Sequence, residues 1–227
     1  GQSIQRMGTE ALAGDRILGA GRAIRTPDLG VLASVGRVEV QVSRKPRVAI
    51  LSTGDELVEV GESPHAGQIR NGNSYTLYAQ CVEAGAEPEM LGIARDDPGD
   101  LSAKVSRGLQ RDILVTSGGV SMGKYDFVER VFEDHGVELH FDKVAMKPGK
   151  PTVFGSHGRT FVFGLPGNPV SAFVTFHLFV RPALLTLAGH WHVDLSALTA
   201  RAGAPLAGGG GLTHFLRVRL ESDRGEM

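Results

Sequence analysis

Apolar residues along this chain follow two alternating periods. Short apolar runs that end in glycine are typical of buried strands, and each is followed by a segment whose apolar residues recur every three or four positions, as in a helix. The strands lie within residues 47–53, 87–97, 112–121 and 160–169, and the helices within 73–83, 98–109, 124–135 and 168–189. This alternation predicts an α/β fold, a three-layer sandwich with a mostly parallel sheet covered on both faces.

Local signals mark the helix boundaries. Asp97 and Asn168 each precede a proline, so both are predicted N-caps, with the proline as the first helical residue. In the helix at 73–83, one face carries Tyr75, Tyr78, Ala79 and Val82. This spacing, followed by Gly85, predicts a helix.

Weaker patterns flank the α/β part. TPDLGVLASVG predicts a short helix capped by Thr26 and ended by Gly36, and RVEVQV at 37–42 alternates as a strand does. Beyond a glycine-rich loop at 202–211, Leu216, Val218 and Leu220 alternate with arginines and predict another strand. The chain therefore divides into an N-terminal mixed α/β segment (1–45), an α/β domain (46–190) and the start of a C-terminal β domain (191–227).

Composition narrows the class of protein. Of the 227 residues, 24 are Lys or Arg and 25 are Asp or Glu, so the charge of −1 predicts no general attraction to nucleic acid or to a membrane surface. The single cysteine, Cys81, excludes an internal disulfide and indicates a reducing compartment, with cytoplasm as the expectation. The longest apolar run, 173–180, is too short to span a bilayer.

Four polar clusters follow the predicted strands. They are STGDE at 52–56, RDD at 95–97, TSGGVS at 116–121 and GLPGNP at 164–169. Ligands of parallel sheets bind beyond the carboxyl ends of the strands, so we expect these loops to share one rim.

Two of these loops suit an anion. In TSGGVS, the N–H groups of Gly118 and Gly119 and the hydroxyls of Thr116, Ser117 and Ser121 precede a helix, the arrangement of an oxyanion cradle. An ordinary strand-to-helix turn is the alternative, and neither the P-loop nor the dinucleotide fingerprint is present. GLPGNP is a rigid loop before a helix N-terminus, which suits an anion or simply caps the helix.

Charged residues near the rim could complete such a site. The carboxylates of Asp55, Glu56, Asp96, Asp97 and Asp126 could share Mg²⁺ with a substrate phosphate, or act separately as caps and solvated charges. In HFDKVAMKPGKP, an extended strand would project Lys143 and Lys147 from one face, about 13 Å apart, with Lys150 beyond a turn. Such lysines could bracket a dianion, or could protect a strand edge against aggregation.

Together these strings resemble the molybdopterin molybdenumtransferase family, which includes the gephyrin E domain. The motifs are VAILSTGDEL, GQIRNGNSYTL, GIARDD, TSGGVSMGKYDF, KVAMKPGKPTVFG and VFGLPGNPVSA, in the family's order. The resemblance implies insertion of molybdate into adenylylated molybdopterin, with Mg²⁺ as cofactor and release of AMP. It also implies a homodimer and a chain longer than this one.

The resemblance also implies residue roles. It makes Glu56, Asp96 and Asp126 the functional acids and metal ligands, and Lys143 and Lys147 the basic residues of the anion site. The ligand-binding residues would be Thr116, Ser117, Gly118, Gly119, Ser121, Lys150, Pro166, Gly167, Asn168 and Pro169.

One motif departs from the family pattern, since IRNGNS stands where DSNS-like strings are commoner. Two other functions stay open at this point. One is a related molybdopterin adenylyltransferase, which would consume ATP, and the other is a non-catalytic dimeric scaffold of the gephyrin type.

Overall fold

The computed structural model describes residues 4–95, 97–119, 127–206 and 209–221. Its helices are α1 (Thr26–Ser34), α2 (Gly72–Glu83), α3 (Pro98–Gly108), α4 (Phe127–Asp134) and α5 (Pro169–Leu187). The longer strands are β1 (Arg47–Thr53), β4 (Glu87–Ala94), β5 (Ile113–Ser117), β6 (Glu138–Phe141), β8 (Val153–His157) and β9 (Thr160–Leu165). Two-residue strands are β2 (Leu57–Val58), β3 (Ile69–Arg70), β7 (Met146–Lys147) and β10 (Thr213–His214).

The central sheet has six strands in the order β4-β1-β5-β9-β8-β6. The first four are parallel, while β8 and β6 are added antiparallel to β9. The predicted α/β class with a mostly parallel sheet is therefore confirmed. Sequence analysis did not predict the antiparallel strands β6 and β8. Strand β8 follows a lysine-rich loop, so it lacks the alternation of strand and helix from which the parallel strands were predicted.

Alternate residues of the parallel strands enter separate cores on the two faces of the sheet. On one face, Ile50 and Val115 pack with Leu77 of α2 and Phe176 of α5. On the other face, Leu51 and Leu114 pack with side chains of α3 and α4, Leu101, Val105, Val128, Val131 and Phe132. Since both faces are covered, the middle residues of β1 and β5 are apolar on both sides, as in buried parallel strands.

Two predicted caps are present. The side chain of Asp97 accepts a hydrogen bond from the Asp100 N–H at 2.8 Å, and Asn168 caps α5 in the same way. The predicted cap of α1 is wrong by one residue, since Thr26 is already helical and Arg25 is the N-cap. There the Asp28 carboxylate, in the first turn of the helix, accepts from the Arg25 N–H at 2.8 Å.

The apolar face predicted on α2 exists, but it faces solvent. Tyr75, Tyr78 and Val82 are exposed, whereas Leu77 and Cys81 are buried against the sheet. The buried face also includes two polar residues, Ser74 and Gln80. Apolar periodicity therefore located the helix correctly, although the apolar face that it marked is not the buried one.

Two predicted strands in the flanking segments are wrong. Residues 37–42 and 216–220 have no strand partner among the described residues, and Val38 and Val218 are largely exposed. Alternation creates a surface suited to pairing, but a strand also needs a neighbour for its backbone hydrogen bonds. In the C-terminal part of the described chain, only Thr213–His214 pairs, with Met146–Lys147.

Helix α5 agrees with the helix predicted within 168–189, and it is longer than the apolar run at 173–180. It has 19 residues and a mean hydropathy of 1.6, so by length and composition it could cross a membrane, which corrects the sequence expectation. Its middle turn, Phe176–Val180, is a π-helix ahead of Pro182. Phe176, Val180 and Leu184 are fully buried against the sheet, which makes α5 a core helix of the α/β layer.

Candidate functional site

The four parallel strands end side by side. In the registers of the sheet, Thr53 is opposite Ala94, and Ser117 is opposite both Ser52 and Leu165. The loops after β1, β4, β5 and β9 therefore begin at one rim, as the sequence predicted. Three predicted site residues, Asp96, Ser121 and Asp126, lie outside the described residues.

The lysine-rich segment reaches the same rim. Strand β8 runs antiparallel to β9 and pairs Val153 with Gly164, so the segment before Val153 lies at the carboxyl end of β9. A Cβ on Gly149 would lie 2.5 Å from Cγ2 of Thr175, which places this loop against α5. Five loops, not four, therefore meet at this rim.

The turn after β5 is packed closely against the end of β1. Gly118 and Gly119 have φ angles of +91° and +65°. A Cβ on Gly118 would lie 2.5 Å from the Thr53 carbonyl oxygen, so a side chain would not fit there. The Gly118 N–H donates to the Leu165 carbonyl oxygen at 3.0 Å, so one of the two N–H groups predicted to hold an anion is already bonded within the protein.

The two hydroxyls expected beside this turn point to opposite faces of the sheet. Thr116 is fully buried on the face that also carries Leu114, and its Oγ1 has no hydrogen-bond partner among the described residues. Ser117 points to the other face, where its Oγ accepts a hydrogen bond from Asn73 at 2.8 Å. Neighbouring residues of a strand alternate in this way, so the two hydroxyls cannot flank the turn from one side.

The GLPGNP loop ends in a capped helix. Asn168 accepts hydrogen bonds from the N–H groups of Val170 at 3.0 Å and Ser171 at 3.3 Å, and Pro169 is the first helical residue. Pro166 is buried, whereas Gly167, Asn168 and Pro169 are exposed. The rigid loop therefore presents the N-terminal end of α5 to solvent at the rim.

Asn73 joins these two loops, a role that sequence analysis missed. Its Nδ2 donates to Ser117 Oγ and to the Gly167 carbonyl oxygen, each at 2.8 Å. A backbone bond from the Gly118 N–H to the Leu165 carbonyl, at 3.0 Å, joins the same strand ends. The only available signal was that IRNGNS places an asparagine in the first turn of a helix near the rim.

A buried polar cluster connects the start of α2, near Asn73, to the end of β1. The Ser52 hydroxyl donates to Asn71 Oδ1 at 2.8 Å, and its oxygen is 2.7 Å from the Ser74 hydroxyl. Asn71 is the N-cap of α2, accepting from the Ser74 N–H. All three residues are buried, so this hydrogen bonding satisfies polar groups that would otherwise destabilise the core.

Of the three predicted metal ligands, the structure describes Glu56. This residue is exposed after β1, and its Oε1 lies 2.7 Å from the position of a Cβ on Gly54. Arg95 ties the loop after β4 to that after β1, because its Nη1 donates to the carbonyls of Asp55 at 3.4 Å and Leu57 at 3.1 Å. Within the described ranges, no group of three or more His, Cys, Asp or Glu side chains could hold a metal.

The geometry expected for the lysines is wrong. Strand β6 ends at Phe141, and extended pairing resumes only at Met146–Lys147, so Lys143 and Lys147 do not share one continuous strand. Lys143 forms an ion pair with Asp142 at 3.0 Å, and this partner raises the pKa of Lys143. Lys147 and Lys150 are both exposed in the loop that packs against α5.

The chain matches known proteins over most of its length. A family model described as a probable molybdopterin binding domain matches residues 49–186. The molybdopterin molybdenumtransferase of Haemophilus influenzae is 41% identical over 189 residues, which are 83% of this chain and 46% of that protein. The Bacillus subtilis protein of the same name is 39% identical over 187 residues, which are 82% of this chain and 44% of that protein.

A solved structure agrees with these relatives. The molybdopterin biosynthesis MoeA protein from Pyrococcus horikoshii superposes with a TM-score of 0.68 at 37% identity, covering 75% of this chain and 42% of that one. The present chain spans about half the length of the curated relatives that it matches.

Proposed function

This chain belongs to the molybdopterin molybdenumtransferase family, and from that premise we propose that it binds adenylylated molybdopterin and molybdate for molybdenum insertion with release of AMP. The observation that carries the proposal is the joining of two anion-suited loops by Asn73 and by the Gly118–Leu165 backbone bond. Residues 46–190 would form the ligand-binding domain, with 1–45 and 191–227 belonging to the neighbouring domains.

The chemistry proposed for the site is mainly positioning. Molybdate is a tetrahedral dianion, and exposed Lys147 with the N-terminal end of α5 would offset its charge. The turn at Gly118 and Gly119 would hold a phosphate or the pterin. The two dithiol S–H groups would then give up their protons as both sulfurs bind molybdenum, so that one oxo ligand leaves as water, and a second water would cleave the phosphoanhydride bond to AMP.

We also propose Mg²⁺ as the cofactor of this site. Glu56, with Asp96 and Asp126, would supply the carboxylate oxygens that Mg²⁺ prefers, and the exposed rim position of Glu56 fits this role. When bound, the ion would neutralise phosphate charge.

A homodimer and a cytoplasmic location complete the proposal. Tyr75, Tyr78 and Val82 on α2 are exposed, and so is Phe173 of the neighbouring helix α5. This apolar surface is suited to a second copy of the chain. Cys81 is a buried free thiol, consistent with a reducing compartment.

The test is an AMP-release assay with adenylylated molybdopterin, molybdate and Mg²⁺, preceded by a binding titration. We expect Lys147→Ala to lower binding or turnover about 10-fold or more, since a charged hydrogen bond contributes about 1.5–3 kcal/mol. Lys45→Ala is the control, because Lys45 is an exposed lysine before β1, at the opposite end of the sheet. Absence of binding by the folded wild-type chain, or equal effects of the two substitutions, would overturn the proposal.

A further inference from the structure

The IRNGNS segment contains a side chain that the proposed function leaves unexplained. Asn73 lies in the first turn of α2 and uses both N–H bonds of its carboxamide, one toward Ser117 and one toward Gly167. These partners are 44 and 94 residues away in sequence and belong to different loops of the rim. A single planar group therefore sets the spacing between the glycine turn and the start of α5.

Capping of α2 does not account for this arrangement. Asn71 is the N-cap, and its Oδ1 accepts from the Ser74 N–H. The Asn73 carboxamide makes no hydrogen bond to its own helix among the described residues. The helix would therefore begin in the same way without it.

The donor and acceptor roles at Ser117 follow from this contact. Ser117 is buried, and its Oγ accepts one N–H from Asn73. An amide nitrogen can only donate, so the hydroxyl proton of Ser117 is not used in this bond. No other hydrogen bond of that hydroxyl is found within the described ranges, which leaves its proton free to point at a ligand.

We infer that Asn73 is a positioning residue that orients the Ser117 hydroxyl as a donor toward a ligand oxyanion and holds the two loops at a fixed separation. This inference rests on the proposed function for the identity of the ligand. The loops are already close, because a Cβ on Gly167 would lie 3.5 Å from the Gly118 Cα. An oxyanion is favoured because phosphate and molybdate oxygens accept hydrogen bonds, and the hydroxyl proton of Ser117 is available to donate one.

The first arm of the test measures affinity for adenylylated molybdopterin. Asn73→Ala and the isosteric Asn73→Asp should each weaken binding about 10-fold, because neither variant can donate to Ser117 and Gly167. Thr76→Ala is the matched control, since Thr76 is exposed one turn along α2 and its hydroxyl donates to the Gly72 carbonyl of its own helix. The aspartate retains the shape of the side chain but adds a negative charge, so the neutral alanine variant must show a similar loss for the missing hydrogen bonds to be the cause.

A double-mutant cycle then asks whether Asn73 acts through Ser117. Ser117→Ala should also weaken binding, and the double variant with Asn73→Ala should lose little more than either single variant. Fully additive losses, or binding of Asn73→Asp within twofold of Thr76→Ala, would overturn the inference.

The second arm does not depend on the ligand. In the free protein, Asn73→Ala should speed hydrogen exchange at the Gly118 amide, which bonds to Leu165, while the Val115 amide inside β5 stays protected. If the wild-type chain did not bind adenylylated molybdopterin, the proposed function would fail. The exchange measurement would still test whether Asn73 holds the two loops together. An unchanged exchange rate at the Gly118 amide in both Asn73 variants would show that Asn73 does not hold the two loops together.

Discussion

The hydroxyl oxygen of Thr53 lies 2.7 Å from the position that a Cβ atom on Gly119 would occupy. Thr53 ends β1 and is buried, and its Oγ1 has no hydrogen-bond partner among the described residues. The STG motif at the end of β1 and the SGG motif after β5 therefore pack directly against each other. Thr53 leaves no room for a side chain on the glycine turn.

The first prediction concerns the glycine turn. Gly118→Ala should lower the free energy of unfolding by about 2 kcal/mol, because φ is +91° and the new Cβ would meet the Thr53 carbonyl. Urea unfolding monitored by circular dichroism measures this change.

The neighbouring loop provides a control for that substitution. Gly167→Ala should stay within about 0.5 kcal/mol of wild type, because its Cβ would make only an ordinary 3.5 Å contact with Gly118. Equal losses for the two variants would mean that close approach to β1 is not what requires glycine at 118.

The second prediction concerns the start of α5. Asn168→Ala should destabilise the protein by about 1 kcal/mol, because the N–H groups of Val170 and Ser171 lose their acceptor. Asn168→Ser keeps an acceptor oxygen and should restore most of the loss in the same unfolding experiment. A serine variant as unstable as the alanine variant would contradict a capping role.

The third prediction is a pH dependence at the opposite end of the sheet. Asp112 accepts two 2.6 Å hydrogen bonds from Arg44 and one from the Arg47 N–H, and the side-chain bond from Arg44 is the main reason that its pKa falls to about 2. Because the folded pKa is below the unfolded value of about 3.9, this stabilisation is complete above pH 4. It is lost as the pH falls from 4 to 2.

We expect Asp112→Asn to lose about 1 kcal/mol at pH 7, a modest value because the Arg44 side chain is 67% exposed and solvent screens the pair. Unfolding measured at pH 7, 4, 3 and 2 should show the difference from wild type shrinking toward pH 2. Asp194→Asn, which removes an exposed acid, is the control. A difference that stayed constant down to pH 2 would exclude the ion pair as its source.

The fourth prediction concerns the single cysteine. Burial raises the pKa of the Cys81 thiol to about 12, so little reactive thiolate forms at pH 8. A disulfide reagent such as DTNB should therefore modify Cys81 only as the protein unfolds, with a rate that increases with urea. Rapid modification of the native protein, at the rate of a free thiol, would show that Cys81 is not buried between α2 and the sheet.

Local pattern determined several features of this protein by itself. The bounds of β1, the cap at Asp97 and the cap at Asn168 follow from apolar runs and from residues adjacent in sequence. The meeting of strand-end loops at one rim also follows, because parallel strands joined by helical crossovers must all end on the same side of their sheet.

Tertiary structure decided the features that depend on a distant partner. Residues 37–42 alternate as well as any strand does, yet they have no neighbour among the described residues with which to form a ladder. Lys143 and Lys147 were separated by a break in extended structure, and the exposed face of α2 is the more apolar one. Asn73 acquires its two acceptors only when loops 44 and 94 residues away fold beside it, because a hydrogen bond depends on position in space and not on spacing along the chain.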